Sequence, residues 1–127
     1  MTAAPLAKKY NKELLINKSF IEIPSPNLSI SEKREWLKKM MNLNIKLLDE
    51  NVSFWRLKII DAIANLNSDA IIFSHYMVMN VVKGFVDNSD KMLNFHPDYA
   101  SVVMLKIKNK RISIANIEEN KNTIITL

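Results

Sequence analysis

Two side chains in this sequence could do acid–base or anion chemistry: His75 and Glu22. An apolar run of β type, Ala70 to Phe73, ends at Ser74-His75, and a second apolar run follows at once. A strand that stops at a histidine and turns directly into a helix leaves the first backbone N–H groups of that helix free, here those of Tyr76 and Met77. Together with the helix dipole they favour an anion. Histidine titrates near neutrality and can donate to a phosphoryl oxygen as a cation or a neutral ring. The competing reading is a histidine packed between two apolar runs. Glu22 lies between Ile21 and Ile23 and is followed by Pro24. A carboxylate in apolar surroundings holds its proton more tightly and can act as a general acid. Simple alternation instead turns Glu22 outward and the two isoleucines inward.

The remaining chemical residues have blander readings. His96 precedes Pro97 in a polar loop and reads as a surface turn residue. Two histidines with no cysteine make no metal site, and none is expected. Arg56 follows Trp55 in an amphipathic stretch and reads as an edge charge. Ser74 and His75 are adjacent and point to opposite faces of an extended chain, so no Ser-His-Asp arrangement is built there. Lys106 and Lys108 alternate with Ile107 and Asn109, and with Lys110 and Arg111 they read as a solvated strand face and turn. Met77 and Met79 read as core packing.

The bulk composition limits the classes further. A chain of 127 residues is one domain, 1–127, and 48% hydrophobic content can build a core. The 18 basic and 13 acidic residues, net +5, are interspersed, which argues against a nucleic-acid tail and for no nucleic-acid partner. The longest uncharged stretch, Ala70 to Val82, is too short and too polar for a bilayer, which takes roughly 20 apolar residues. Met1 to Pro5 lacks the pattern of a signal peptide. A cytoplasmic protein with no membrane partner is expected. Gly84 is the only glycine, against an average of about 7%. No Gly-rich phosphate loop or dinucleotide fingerprint can therefore form, and no cofactor is implied.

The elements that must position these residues follow from the pattern. A short helix over 2–10 has Thr2 as its cap. Leu14 to Ile16 suits a buried strand. Phe20 to Ile23 is extended, and Pro24-Ser25-Pro26 stops it. Ser29 and Glu32 have capping-box spacing at the start of a helix whose inner face is Trp36, Leu37, Met40 and Met41. Val52, Trp55, Ile59, Ile60, Ile63 and Leu66 recur at the helical period, and Asn67-Ser68-Asp69 breaks that helix. Ala70 to Phe73 is a strand, and Met77 to Phe85 a helix. Residues 86–100 form a loop. Ser101 to Ile107 and Arg111 to Asn116 are strands joined by a tight turn at Asn109-Lys110, and the tail to Leu127 is irregular. Strands alternating with helices indicate an α/β fold.

Four ordered segments resemble the histidine phosphatase (phosphoglycerate mutase-like) superfamily and together span nearly the whole chain. Thr2-Ala3-Ala4-Pro5-Leu6-Ala7 looks like the segment after the family's second arginine. Phe20-Ile21-Glu22-Ile23-Pro24-Ser25-Pro26 resembles the element that carries its general acid. Ile71-Ile72-Phe73-Ser74-His75 resembles the strand that delivers its second catalytic histidine. Pro97-Asp98-Tyr99-Ala100-Ser101-Val102-Val103 looks like its last strand entry. Arg34-Glu35-Trp36-Leu37 and Trp55-Arg56 fit a small bacterial branch of the family.

The resemblance implies a three-layer α/β/α sheet and a phosphorylated small molecule as substrate. By that resemblance Glu22 would be the proton donor and His75 a phosphate ligand, beside the Tyr76 N–H that the helix start supplies. The family's Arg-His-Gly motif has no counterpart here, and Tyr76 replaces the usual glycine after the second histidine. With it goes the nucleophile that forms phosphohistidine, so the chain alone is expected to be inactive. The family's first strand, interior to its sheet, is missing as well. Met1 falls where the family's first helix is already under way, as in an N-terminally truncated member. A sheet lacking an interior strand has unpaired backbone groups, which implies self-association or a complementing chain. Two other classes stay open: a non-catalytic anion-binding or regulatory domain, and a small α/β interaction module.

Overall fold

The computed structural model describes residues 3–118. Four helices precede a β-hairpin: α1 Ala4–Lys9, α2 Ile30–Met41, α3 Glu50–Ala64, α4 Tyr76–Val86, then β1 Val102–Lys108 and β2 Arg111–Glu118. Short 3-10 turns cover Lys18–Phe20 and Ile45–Leu47. The fold is thus mixed helix and strand, as the pattern indicates. Among the described residues its sheet has two antiparallel strands.

The helix starts follow local side-chain chemistry. Ser29 Oγ accepts from the Glu32 N–H, and the Glu32 carboxylate accepts from the Ser29 N–H, completing the capping box of α2. Asp49 caps α3 through the Val52 N–H at 2.9 Å. Helix α3 buries Val52, Trp55, Ile59 and Ile63 of the row foreseen from the period, and ends at Ala64 with Asn65 as its C-cap, so Leu66 of that row falls beyond the helix. Helix α4 begins one residue before the predicted start and ends one after the predicted end.

The hairpin turn has Asn109 and Lys110 both at positive φ, 52° and 62°, as a two-residue turn with primed geometry requires. Its inner face, with Leu105, Ile107 and Ile112, packs toward the helices, while Lys106 and Lys108 face solvent. Helix α3 packs against α4, and both pack against β2. Met40, Met77 and Met92 join the apolar core, as do Val78, Val81 and Val82. Fully burying a side chain such as Ile59 contributes about 1.5–3 kcal/mol.

Several expectations are corrected. Ala70 to Phe73 forms no strand, and Leu14 to Ile16 forms none either. Both runs are exposed, with Ile71 at 75% and Ile16 at 77%. A strand is defined by its ladder, and among the described residues neither run has a neighbouring strand to pair with. Helix α1 starts at Ala4 behind Ala3, and the expected Thr2 cap lies outside the described residues. Phe20 ends a 3-10 turn, so the chain is extended only from Ile21. Strand β2 runs on to Glu118, past the predicted end at Asn116, and the rest of the tail lies outside the described residues. Among the described residues, no helix is long and apolar enough to cross a membrane.

Candidate functional site

His75 stands at the N-cap of α4 with extended backbone, φ −115° and ψ 160°, and its side chain makes no cap hydrogen bond. Its carbonyl accepts the first helical bond, from Met79 N–H. The leading N–H groups of Tyr76, Met77 and Val78 are those that no earlier turn can satisfy. His75 is exposed rather than packed in the core, which removes the buried-histidine reading.

Glu22 is reached through the chain before it. The Trp55 indole N–H donates to the Ile21 carbonyl at 2.9 Å, fixing that segment on α3. The Ser74 hydroxyl donates to the Phe20 carbonyl at 3.2 Å. The residues flanking Glu22 and His75, far apart in sequence, are therefore tied to each other. Ile23 is buried while Glu22 and Ile21 are both exposed, so the carboxylate faces solvent as alternation expects, but only one of its two isoleucine neighbours turns inward.

Tyr76 carries a contact that sequence reasoning missed. Its hydroxyl meets His96 Nδ1 at 2.7 Å and donates to the Phe95 carbonyl at 3.4 Å. Desolvation raises the Tyr76 phenol above the usual tyrosine value. His96 is exposed, as expected of a turn residue, but it leans on the first turn of α4.

The loop that delivers His96 is held from inside α4. Asn80, fully buried, accepts at Oδ1 from the N–H groups of Asn94 and Phe95 at 2.7 and 3.0 Å. A lone asparagine between Met79 and Val81 on an apolar helix was the sequence signal for this anchor. Gly84 lies under Asn94, where a methyl group would collide with Asn94 Nδ2.

Two of the hollows among the described residues lie elsewhere. One, of about 450 Å³, is bordered by Lys108, Asn109, Arg111, Ile112 and Ser113. The other, of about 220 Å³, lies beside half-buried Arg56, whose guanidinium desolvation pushes below its ordinary value. Neither includes Glu22, His75 or Tyr76. Among the described residues no cluster of histidines and carboxylates could hold a metal ion. Set against known proteins, the chain matches no family model, no curated protein and no solved structure.

Proposed function

We propose that this chain is the part of a histidine phosphatase-like (phosphoglycerate mutase-like) domain that follows the nucleophile. The three-layer α/β/α sheet of that family would be completed by a strand this sequence lacks. The whole domain would be a cytoplasmic phosphomonoester hydrolase acting through phosphohistidine on a phosphorylated small molecule. The chain by itself is then inactive.

The observation that carries this reading is the Ser74–Phe20 hydrogen bond, which holds the His75 junction against the segment leading to Glu22. In the proposed roles His75 donates to a phosphoryl oxygen, and the first N–H groups of α4 share the charge. In the completed domain Glu22, which faces solvent in this chain, gives its proton to the leaving oxygen as the P–O bond breaks. The attacking imidazole must come from outside this sequence. His96, the other histidine, is engaged with Tyr76.

A second reading, a non-catalytic anion-binding or interaction domain, draws on Tyr76. Its ring stands directly after His75, and its hydroxyl ties the first turn of α4 to the loop at His96. Such a domain keeps the anion site and performs no chemistry.

The test is a titration of the purified chain with inorganic phosphate, followed by the NMR signals of the His75 ring and the Tyr76 and Met77 amides, alongside an assay with p-nitrophenyl phosphate. The expected result is saturable shifts at those three residues and no turnover. Shifts absent there, or turnover that disappears in His75→Ala, would overturn the proposal.

A further inference from the structure

Every residue from 67 to 76 is exposed, and the apolar side chains among them include Ile71 at 75% and Phe73 at 44%. No backbone N–H or C=O of residues 70–74 has a hydrogen-bond partner among the described residues. The run carries no charge, proline or glycine from Ala70 to Ser74, and two of its residues are β-branched isoleucines. Such a segment is a template for pairing with another chain. The exposed face of β1 carries Lys106 and Lys108, the type of charge that discourages edge pairing; residues 70–74 have no such guard.

We propose that Asp69–His75 is an interface between two copies of this chain, paired as antiparallel strands about a two-fold axis at Ile72. The occupant is argued from the self-complementarity of the sequence. In that register Ile72 lies beside its own counterpart, and Ile71 beside the partner's Phe73. Ala70 lies beside the partner's Ser74, and Asp69 beside the partner's His75. Each Asp69 carboxylate then accepts from an imidazole N–H, once at either end. A parallel pairing sets Asp69 against its own copy, and like charges directly opposite destabilise a ladder. Sliding the antiparallel register by one residue takes His75 away from Asp69. Ser74 donates its hydroxyl to Phe20, which turns the face of Ser74 and Ile72 toward the body of the protein. Alternation then turns the row Asp69, Ile71, Phe73, His75 outward, in line with Ile71 at 75% against Ile72 at 38%, with Phe73 between them at 44%. The contact uses the same patch on both copies, so it closes at a dimer. It goes beyond the phosphatase-like reading and does not depend on it.

Sedimentation of the purified chain in phosphate-free buffer, across the micromolar range, tests this. The expected result is a reversible monomer–dimer equilibrium, with Ile72→Lys monomeric at concentrations where the native chain is dimeric. Asp69→Lys and His75→Asp each weaken association by about tenfold, the sum of two cross-strand pairs. An equimolar mixture of those two variants sets unlike charges together at both ends and restores it. Asp69 and His75 are exposed and Ile72, on the body-facing side, is still 38% exposed, and circular dichroism confirms that each variant is folded. A native chain that stays monomeric, polymerises without limit, or dimerises equally well with Ile72→Lys would overturn the proposal. A mixture that fails to recover association would do the same.

Discussion

Asn94 donates twice to Asn80, once from its backbone and once from its side chain. The Asn94 N–H donates to Asn80 Oδ1 at 2.7 Å, and Asn94 Nδ2 donates to the Asn80 carbonyl at 3.1 Å. Asn80 is wholly buried on α4, and Asn94 sits in the loop that brings His96 to Tyr76. This pair joins the end of the loop to the helix whose N-terminus is the candidate anion site.

Asn80→Ala strands the N–H groups of Asn94 and Phe95 without their acceptor. The expected loss is about 2–4 kcal/mol, the lower part of the sum for two donors at about 1–3 each, because both are only part-buried. Urea denaturation measures it. A loss under about 0.5 kcal/mol would show that water replaces the amide.

Gly84→Ala tests the close approach of Asn94. A mid-helix alanine is favoured over glycine by about 1 kcal/mol on propensity alone. Here the added methyl group displaces an amide that also bonds the Lys91 and Met92 carbonyls, so net destabilisation of about 1–3 kcal/mol is expected. Combining it with Asn94→Ala should cost less than the sum of the two changes, a non-additivity that denaturation can read.

Ser29→Ala removes one half of the capping box of α2. A loss of about 0.5–2 kcal/mol is expected. Amide hydrogen exchange should show faster opening at Glu32 and Lys33, with the hairpin unaffected.

The raised Tyr76 phenol sets a direction for alkaline stability. Its folded pKa lies above the ordinary value of 10.0, so the folded chain keeps a proton that the unfolded chain releases. The contribution is fully present below the unfolded value and is lost as pH rises through the folded one. Denaturation midpoints measured from pH 9 upward should fall more steeply for the native chain than for Tyr76→Phe. Parallel curves would contradict this.

What could be read from the sequence was what depends on neighbouring residues. The capping box at Ser29, the apolar row from Val52 to Ile63 and the turn at Asn109-Lys110 each need only a few residues of context. Ala70–Phe73 failed because composition shows a run fit for a strand but not whether a partner strand stands beside it. At the candidate site, Glu22 and His75 could be singled out by type and flanks. The Tyr76–His96 contact could not, because a tertiary loop makes it and nothing before Pro97 marks His96 as the partner. Asn80 was visible as a polar interruption of an apolar helix, although its partners were not.

The most direct test of the anion site at His75, on which both readings rest, is the melting temperature of the purified chain in inorganic phosphate against chloride at equal ionic strength, for the native sequence and His75→Ala. Binding to the folded state alone raises the melting temperature with ligand concentration. The account predicts a phosphate-dependent rise for the native chain that is absent in His75→Ala. An equal response in both proteins, or none in either, would contradict a phosphate site at His75.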